Sequence, residues 1–125
     1  MTNPRDEMRE KLSEYRTKSE ALERMEIRRR RVLIQLEGVD SLDDLEAEIL
    51  LQKSSCAASL AELLNLISFF PAGGRKHEIM SLKYIDDLPW WQIGEQMYLS
   101  ESACRKLEQQ AIDELIQLNN TKKSP

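Results

Sequence analysis

Between Ser100 and Gln109 lies a set of side chains suited to hydrogen bonding with the edges of nucleic-acid bases. If this stretch is helical, Glu101, Ser102, Arg105, Lys106 and Gln109 fall outside its apolar stripe, near its start. Arg and Lys pair with guanine edges or phosphates, Gln with adenine, and Ser with either. Such a mixture suits base reading better than a wall of lysines. Other chemistries find less support. His77 is the single histidine and has no Ser, Cys or Asp in a suggestive frame. Glu7, Glu10 and Glu14 have carboxylate spacing but no basic, buried companion, so the chain reads as a non-enzyme. Cys56 and Cys104 form no CxxC pair and cannot complete a zinc set with one His. They read as buried, reduced thiols; no metal and no cofactor is expected.

For those side chains to enter a major groove, two short helices must meet steeply and present the second one. The stretch from Trp90 to Gln109 fits that template place by place. Ile93 is apolar at the fourth place, and Gly94 is minimal at the fifth, where the helices cross most closely. Met97, Leu99, Cys104 and Leu107 are apolar at the eighth, tenth, fifteenth and eighteenth places and seal the inner angle. Ser100 is a good N-cap for the second helix.

The surrounding residues carry a resemblance. Glu78-Ile-Met-Ser-Leu-Lys-Tyr84 is followed by Leu88-Pro-Trp-Trp-Gln-Ile-Gly94, then by Leu99-Ser-Glu-Ser-Ala-Cys-Arg-Lys106 and Ala111-Ile-Asp-Glu-Leu115. Residues 77–115 resemble region 4 of bacterial sigma factors, and still more the phage late-gene transcription activators of the ArpU/RinA type. The resemblance covers about a third of the chain. It implies promoter or operator recognition by the third helix of the domain, with Glu101, Ser102, Arg105 and Lys106 facing the groove. It also implies a buried aromatic at Trp90. The chain departs from the family at several points: Tyr98 replaces the usual turn glycine, Pro89 a capping Ser or Thr, and Trp91 a Glu. Glu101 and Ala103 stand where sigma factors usually carry arginines. No pattern like sigma region 2 is read before the segment, so a complete sigma factor is not expected.

The remaining pattern predicts an all-α protein. Residues from about 5 to 36 read as one long, charged helix with a narrow stripe of Met8, Leu12, Tyr15, Leu22, Met25, Val32 and Leu36. Gly38 is placed to end it, and Ser41-Leu-Asp-Asp44 has the form of a capping box for a second helix from about 42 to 69. Leu45, Ile49, Cys56, Leu60, Leu63 and Ile67 are in register along that helix. Pro71-Ala-Gly-Gly74 then breaks any helix. Three shorter helices follow, over about 75–85, 89–97 and 101–118, with Pro89 suited to a first helical turn. The expected organisation is a coiled-coil-like antiparallel hairpin over 1–72 for oligomerisation. A three-helix, helix-turn-helix DNA-binding domain follows over 75–118, with a disordered tail over 119–125.

Net charge is −4, and acidic residues slightly outnumber basic ones on both sides of the glycine break. Non-specific phosphate attraction is therefore weak, and affinity must come from local clustering and from doubled contacts in an oligomer. Arg75, Lys76 and Lys83 are additional candidates for phosphate contact. Arg28-Arg-Arg-Arg31 splays around a helix axis, so its members cannot all face one duplex; it reads as a solvated, salt-bridged face. Trp91, if exposed, is an anchor for a partner protein. The N-terminus is too charged for a signal peptide and no apolar run spans a bilayer, so the expected location is the cytoplasm of a bacterial host.

The leading reading is a sequence-specific transcription regulator of phage or prophage origin, an activator, that binds double-stranded DNA as a dimer or higher oligomer. A second reading is a sigma-like adaptor that docks on RNA polymerase or an anti-sigma partner rather than DNA. A third, a packaging adaptor like a small terminase subunit, is disfavoured because those chains usually place their helix-turn-helix before the oligomerising helices.

Overall fold

The computed structural model describes the backbone of residues 3–35 and 39–123, and the side chains of 3–35 and 42–121. The described residues are all-helical. Five helices occur in order: α1 (Pro4–Gln35), α2 (Val39–Ile67), α3 (Arg75–Tyr84), α4 (Trp90–Met97) and α5 (Glu101–Lys123). Among the described residues no helix is long and apolar enough to cross a membrane.

Several boundaries differ from those the sequence suggests. Helix α2 already runs at Val39, so Ser41 stands inside the helix instead of capping it. Gly38, the expected stop for α1, lies outside the described residues. Pro89 sits one place before α4, as its extended N-cap (φ −69°, ψ 156°), rather than in the first turn. Helix α5 continues through Asn119 and Asn120 to Lys123, past the start of the expected tail. Asn is a modest helix former whose preference an established helix overrides easily.

The chain divides into two compact units whose border is not the glycine break. One unit comprises residues 14–62, from the facing stretches of α1 and α2. These run antiparallel: Lys18 donates to Ser59 Oγ at 2.7 Å, Glu26 lies 3.9 Å from Lys53, and Arg29 donates to Glu46 at 3.1 Å. On α2, Leu45, Ile49 and Cys56 are buried, while the matching α1 positions Tyr15, Leu22, Met25 and Val32 are only half-buried. The narrow stripe of α1 thus gives a thin seam.

The other unit joins residues 1–13 to 63–125. Helices α3, α4 and α5 pack on one another, and their core holds Ile79, Met80, Leu82, Ile93, Cys104, Ala111, Ile112 and Leu115. Met8 and Leu12 from the first turns of α1, with Leu63, Ile67, Phe70 and Tyr84, complete the unit's buried hydrophobic set. Full burial of side chains of this size stabilises a fold by about 1.5–3 kcal/mol each.

Candidate nucleic-acid interface

Helix α4, a three-residue turn and helix α5 set the geometry. Tyr98 ends α4 in the left-handed region (φ 56°, ψ 41°), and its N–H donates to the Gly94 carbonyl. The Leu99 N–H donates to the same oxygen at 3.0 Å. This folds the turn directly over Gly94, which is buried: a Cβ there would lie 2.8 Å from the Leu99 carbonyl oxygen. Only glycine fits that approach without displacing backbone. Ser100 then opens α5 as its N-cap, accepting the Ala103 N–H on Oγ at 3.1 Å. Glu101 occupies the first turn, where the positive end of the helix dipole favours an acid.

The first two turns of α5 face solvent on one side. Glu101, Ser102, Arg105 and Lys106 are exposed, as is Ser100, while Cys104 between them is fully buried. Burial, with the nearby Glu101 charge second, pushes the Cys104 thiol above its usual range, so it stays protonated. Its role is packing.

Beyond these turns each acidic side chain of α5 has a cationic partner. Glu108 is buried and accepts both Nε and Nη2 of Arg9, at 3.1 and 2.9 Å. The Tyr84 hydroxyl donates to the same carboxylate at 2.5 Å. Burial first, then this hydrogen bond, pushes the Tyr84 phenol far above its usual value. The bond to Glu108 raises the Arg9 guanidinium against the opposing effect of burial. Asp113 takes a two-pronged contact from Arg5, at 2.8 and 3.0 Å, which holds its carboxyl below the usual range. Glu114 accepts Lys76 Nζ at 2.5 Å. With these acids paired, the exposed start of α5 carries Arg105 and Lys106 against Glu101 alone, a net positive charge; among the described residues neither cation makes an ion pair. A formal charge of −4 therefore says little about this ridge.

Of the remaining candidates, Gln109, Lys76 and Lys83 lie against the protein's own groups. Gln109 is half-buried, and with its amide turned so that the oxygen accepts, it lies 2.8 Å from Arg5 Nη1. Lys76 is held by Glu114. Lys83 stands over the Trp90 ring, 4.8 Å from its centroid, and the Arg105 guanidinium lies 5.9 Å from the same centroid. Trp90 is thus half-buried under cations rather than sealed in the core. Arg75 is exposed at the first residue of α3. Arg28, Arg30 and Arg31 are exposed on α1, in the other unit, and Arg29 pairs with Glu46.

Sequence spacing missed Arg5 and Arg9. They are four apart on one face of α1, and each meets a carboxylate about a hundred positions away, a relation that no local pattern encodes. Among the described residues no cluster of His, Cys, Asp and Glu could hold a metal ion.

No family model, curated protein or solved structure matches the chain.

Proposed function

We propose that the chain is a sequence-specific DNA-binding transcription regulator in which α4, the turn at 98–100 and α5 act as a helix-turn-helix. The start of α5 enters the major groove. Its likeness in sequence to sigma region 4 and to phage late-gene activators gives the reading its biological setting, a phage or prophage activator. The observation that carries it is the exposed quartet Glu101, Ser102, Arg105 and Lys106 on the first two turns of α5. Every acid farther along that helix is already paired with a cation. Arg105 and Lys106 read bases or grip phosphates, Ser102 bonds to base or phosphate, and Glu101 accepts from a cytosine amino group. Ser100 stays the cap, and Gln109 acts by holding Arg5 beside the ridge. Arg75 adds a phosphate contact.

The three exposed cations assigned to DNA in each chain, Arg75, Arg105 and Lys106, are few for a tight complex. A regulator of this kind therefore works as a dimer or higher oligomer, with residues 14–62 joining copies so that two α5 helices meet a repeated site. Selection from a random duplex library tests the reading. The protein should enrich a two-part motif, and binding should weaken steeply between 50 and 200 mM salt. A library that stays random after repeated rounds would refute it.

One observation favours a second reading, a sigma-like adaptor that binds a protein such as RNA polymerase. Trp91 and Tyr98 expose 57% and 93% of their surface and, with Gly94 and Leu99, line a shallow depression whose charged members are Glu95 and Glu101. Exposed aromatics beside carboxylates suit a basic partner segment. Under this reading, Trp91→Ala abolishes polymerase capture, and the wild-type protein selects no duplex.

A further inference from the structure

Helix α2 is apolar on two opposite sides, and only one of them is covered. Leu45, Ile49, Cys56, Leu63 and Ile67 form the buried side. On the other, Ala47, Leu50, Ser54, Ala57, Ala61 and Leu64 follow one another at alternating spacings of three and four, and all are exposed. Leu51 and Ala58 widen this second seam; Leu50 and Leu51 expose 68% and 73% of their surface. The seam extends about 26 Å along the helix and carries no charge, although 32% of the chain's residues are charged. A helix apolar on both sides belongs inside a bundle.

Between Leu51 and Leu64 the order of large and small side chains on this seam reads the same in both directions about the Ala57–Ala58 midpoint. Leu51 and Leu64 are equidistant from it, as are Ser54 and Ala61. We propose that this face of α2 pairs with the same face of a second copy, antiparallel, about a two-fold axis at Ala57–Ala58. Alanines then meet alanines, letting the helix axes approach to about 8 Å. The leucines of one copy close over the ends of the other, which is the self-complementarity that a two-fold interface requires. Charge selects the direction. Asp43, Asp44 and Glu48 are exposed at one end of the helix. A parallel pair would stack these acids on their own copies, whereas the antiparallel pair carries them to opposite ends and also opposes the two helix dipoles.

A contact one helix wide falls near or below the low end of stable interfaces, about 1,200 Å² in total, so the pair is reversible and concentration-dependent. Its purpose, though not its geometry, rests on the two-copy reading given above.

Sedimentation velocity on the full chain, from about 1 to 500 µM, tests the pairing. The expected result is a reversible monomer–dimer equilibrium, with Leu51→Lys and Ala58→Lys each weakening association at least about a hundredfold because they bury unpaired charges in both copies. Both positions are exposed in the single chain, so the variants should keep full helicity. Orientation is read from cysteine crosslinking, with Cys56 and Cys104 buried and out of reach. Ala58→Cys should oxidise to a linked dimer, and Leu50→Cys should not. A wild-type chain that stays monomeric at 500 µM, an Ala58→Lys variant that still dimerises, or equal crosslinking at both positions would overturn the proposal. A clean dimer that selects no duplex refutes the DNA reading and leaves this interface standing; a strict monomer that selects one does the reverse.

Discussion

Replacing Gly94 with alanine should destabilise the protein, although the same change at an open helical site stabilises it. Alanine is the better helix former by about 1 kcal/mol. Here the added Cβ falls 2.8 Å from the Leu99 carbonyl oxygen, against the 3.4 Å where ordinary contact begins, and 3.8 Å from the Glu101 nitrogen. The neighbour is backbone, so the turn must retreat by about 0.6 Å, a displacement at the upper end of overpacking costs, about 3 kcal/mol. Part of that cost comes from Gly94's own carbonyl, which ties down both Tyr98 and Leu99. The net expectation is a loss of about 2 kcal/mol after the helix-propensity gain is subtracted. Urea unfolding followed by tryptophan fluorescence reads it, because both tryptophans stand on α4. The midpoint should fall while the slope stays constant. A Gly94→Ala protein as stable as the wild type, or more so, would show that α4 and the turn do not approach as described.

Two other substitutions probe the same unit. Tyr98 holds a left-handed conformation with 93% of its surface exposed, so Tyr98→Gly should raise stability by about 1 kcal/mol in the same unfolding assay. Tyr84 links stability to alkaline pH. Its folded pKa lies above the ordinary value of 10.0. Its contribution is therefore complete below about pH 10 and is lost as pH rises beyond it. Tyr84→Phe should flatten that alkaline decline and, by taking a hydrogen bond from the buried Glu108 carboxylate, lower neutral-pH stability by about 1–3 kcal/mol. Thermal unfolding measured by circular dichroism between pH 7 and 11 reads both effects.

Much of the α4–α5 geometry was legible in the sequence because it depends on neighbours a few residues apart. Ile93, Gly94 and Cys104 occupy the places where two crossing helices need apolar or minimal side chains, and all three are buried. Ser100 caps α5 for a reason visible in its type alone. The helix count follows from the same local rules, and so does the exposure of Glu101, Ser102, Arg105 and Lys106. What spacing could not supply was long-range. Nothing around Arg5 or Arg9 points to α5, yet these two supply the cations that pair with its Asp113 and Glu108. For the same reason the glycine break at 73–74 looked like a domain border, while contacts tie the first turns of α1 to α3–α5. Gln109 has the right type and spacing for a base contact; only the arrival of Arg5 reveals that it is engaged. Trp90 read as core, and whether an aromatic is sealed in or lies under cations depends on side chains from two other helices.

The central claim is that the exposed start of α5 reads duplex DNA, and one comparison tests it most directly. Fluorescence anisotropy of the selected duplex should be titrated with wild-type protein and with Arg105→Ala/Lys106→Ala at 100 mM salt, with circular dichroism of both as the folding control. The account predicts unchanged helicity and at least about thirtyfold weaker binding, from two lost contacts at about 1–3 kcal/mol each. A folded double variant that binds the same duplex as tightly as the wild type would contradict it.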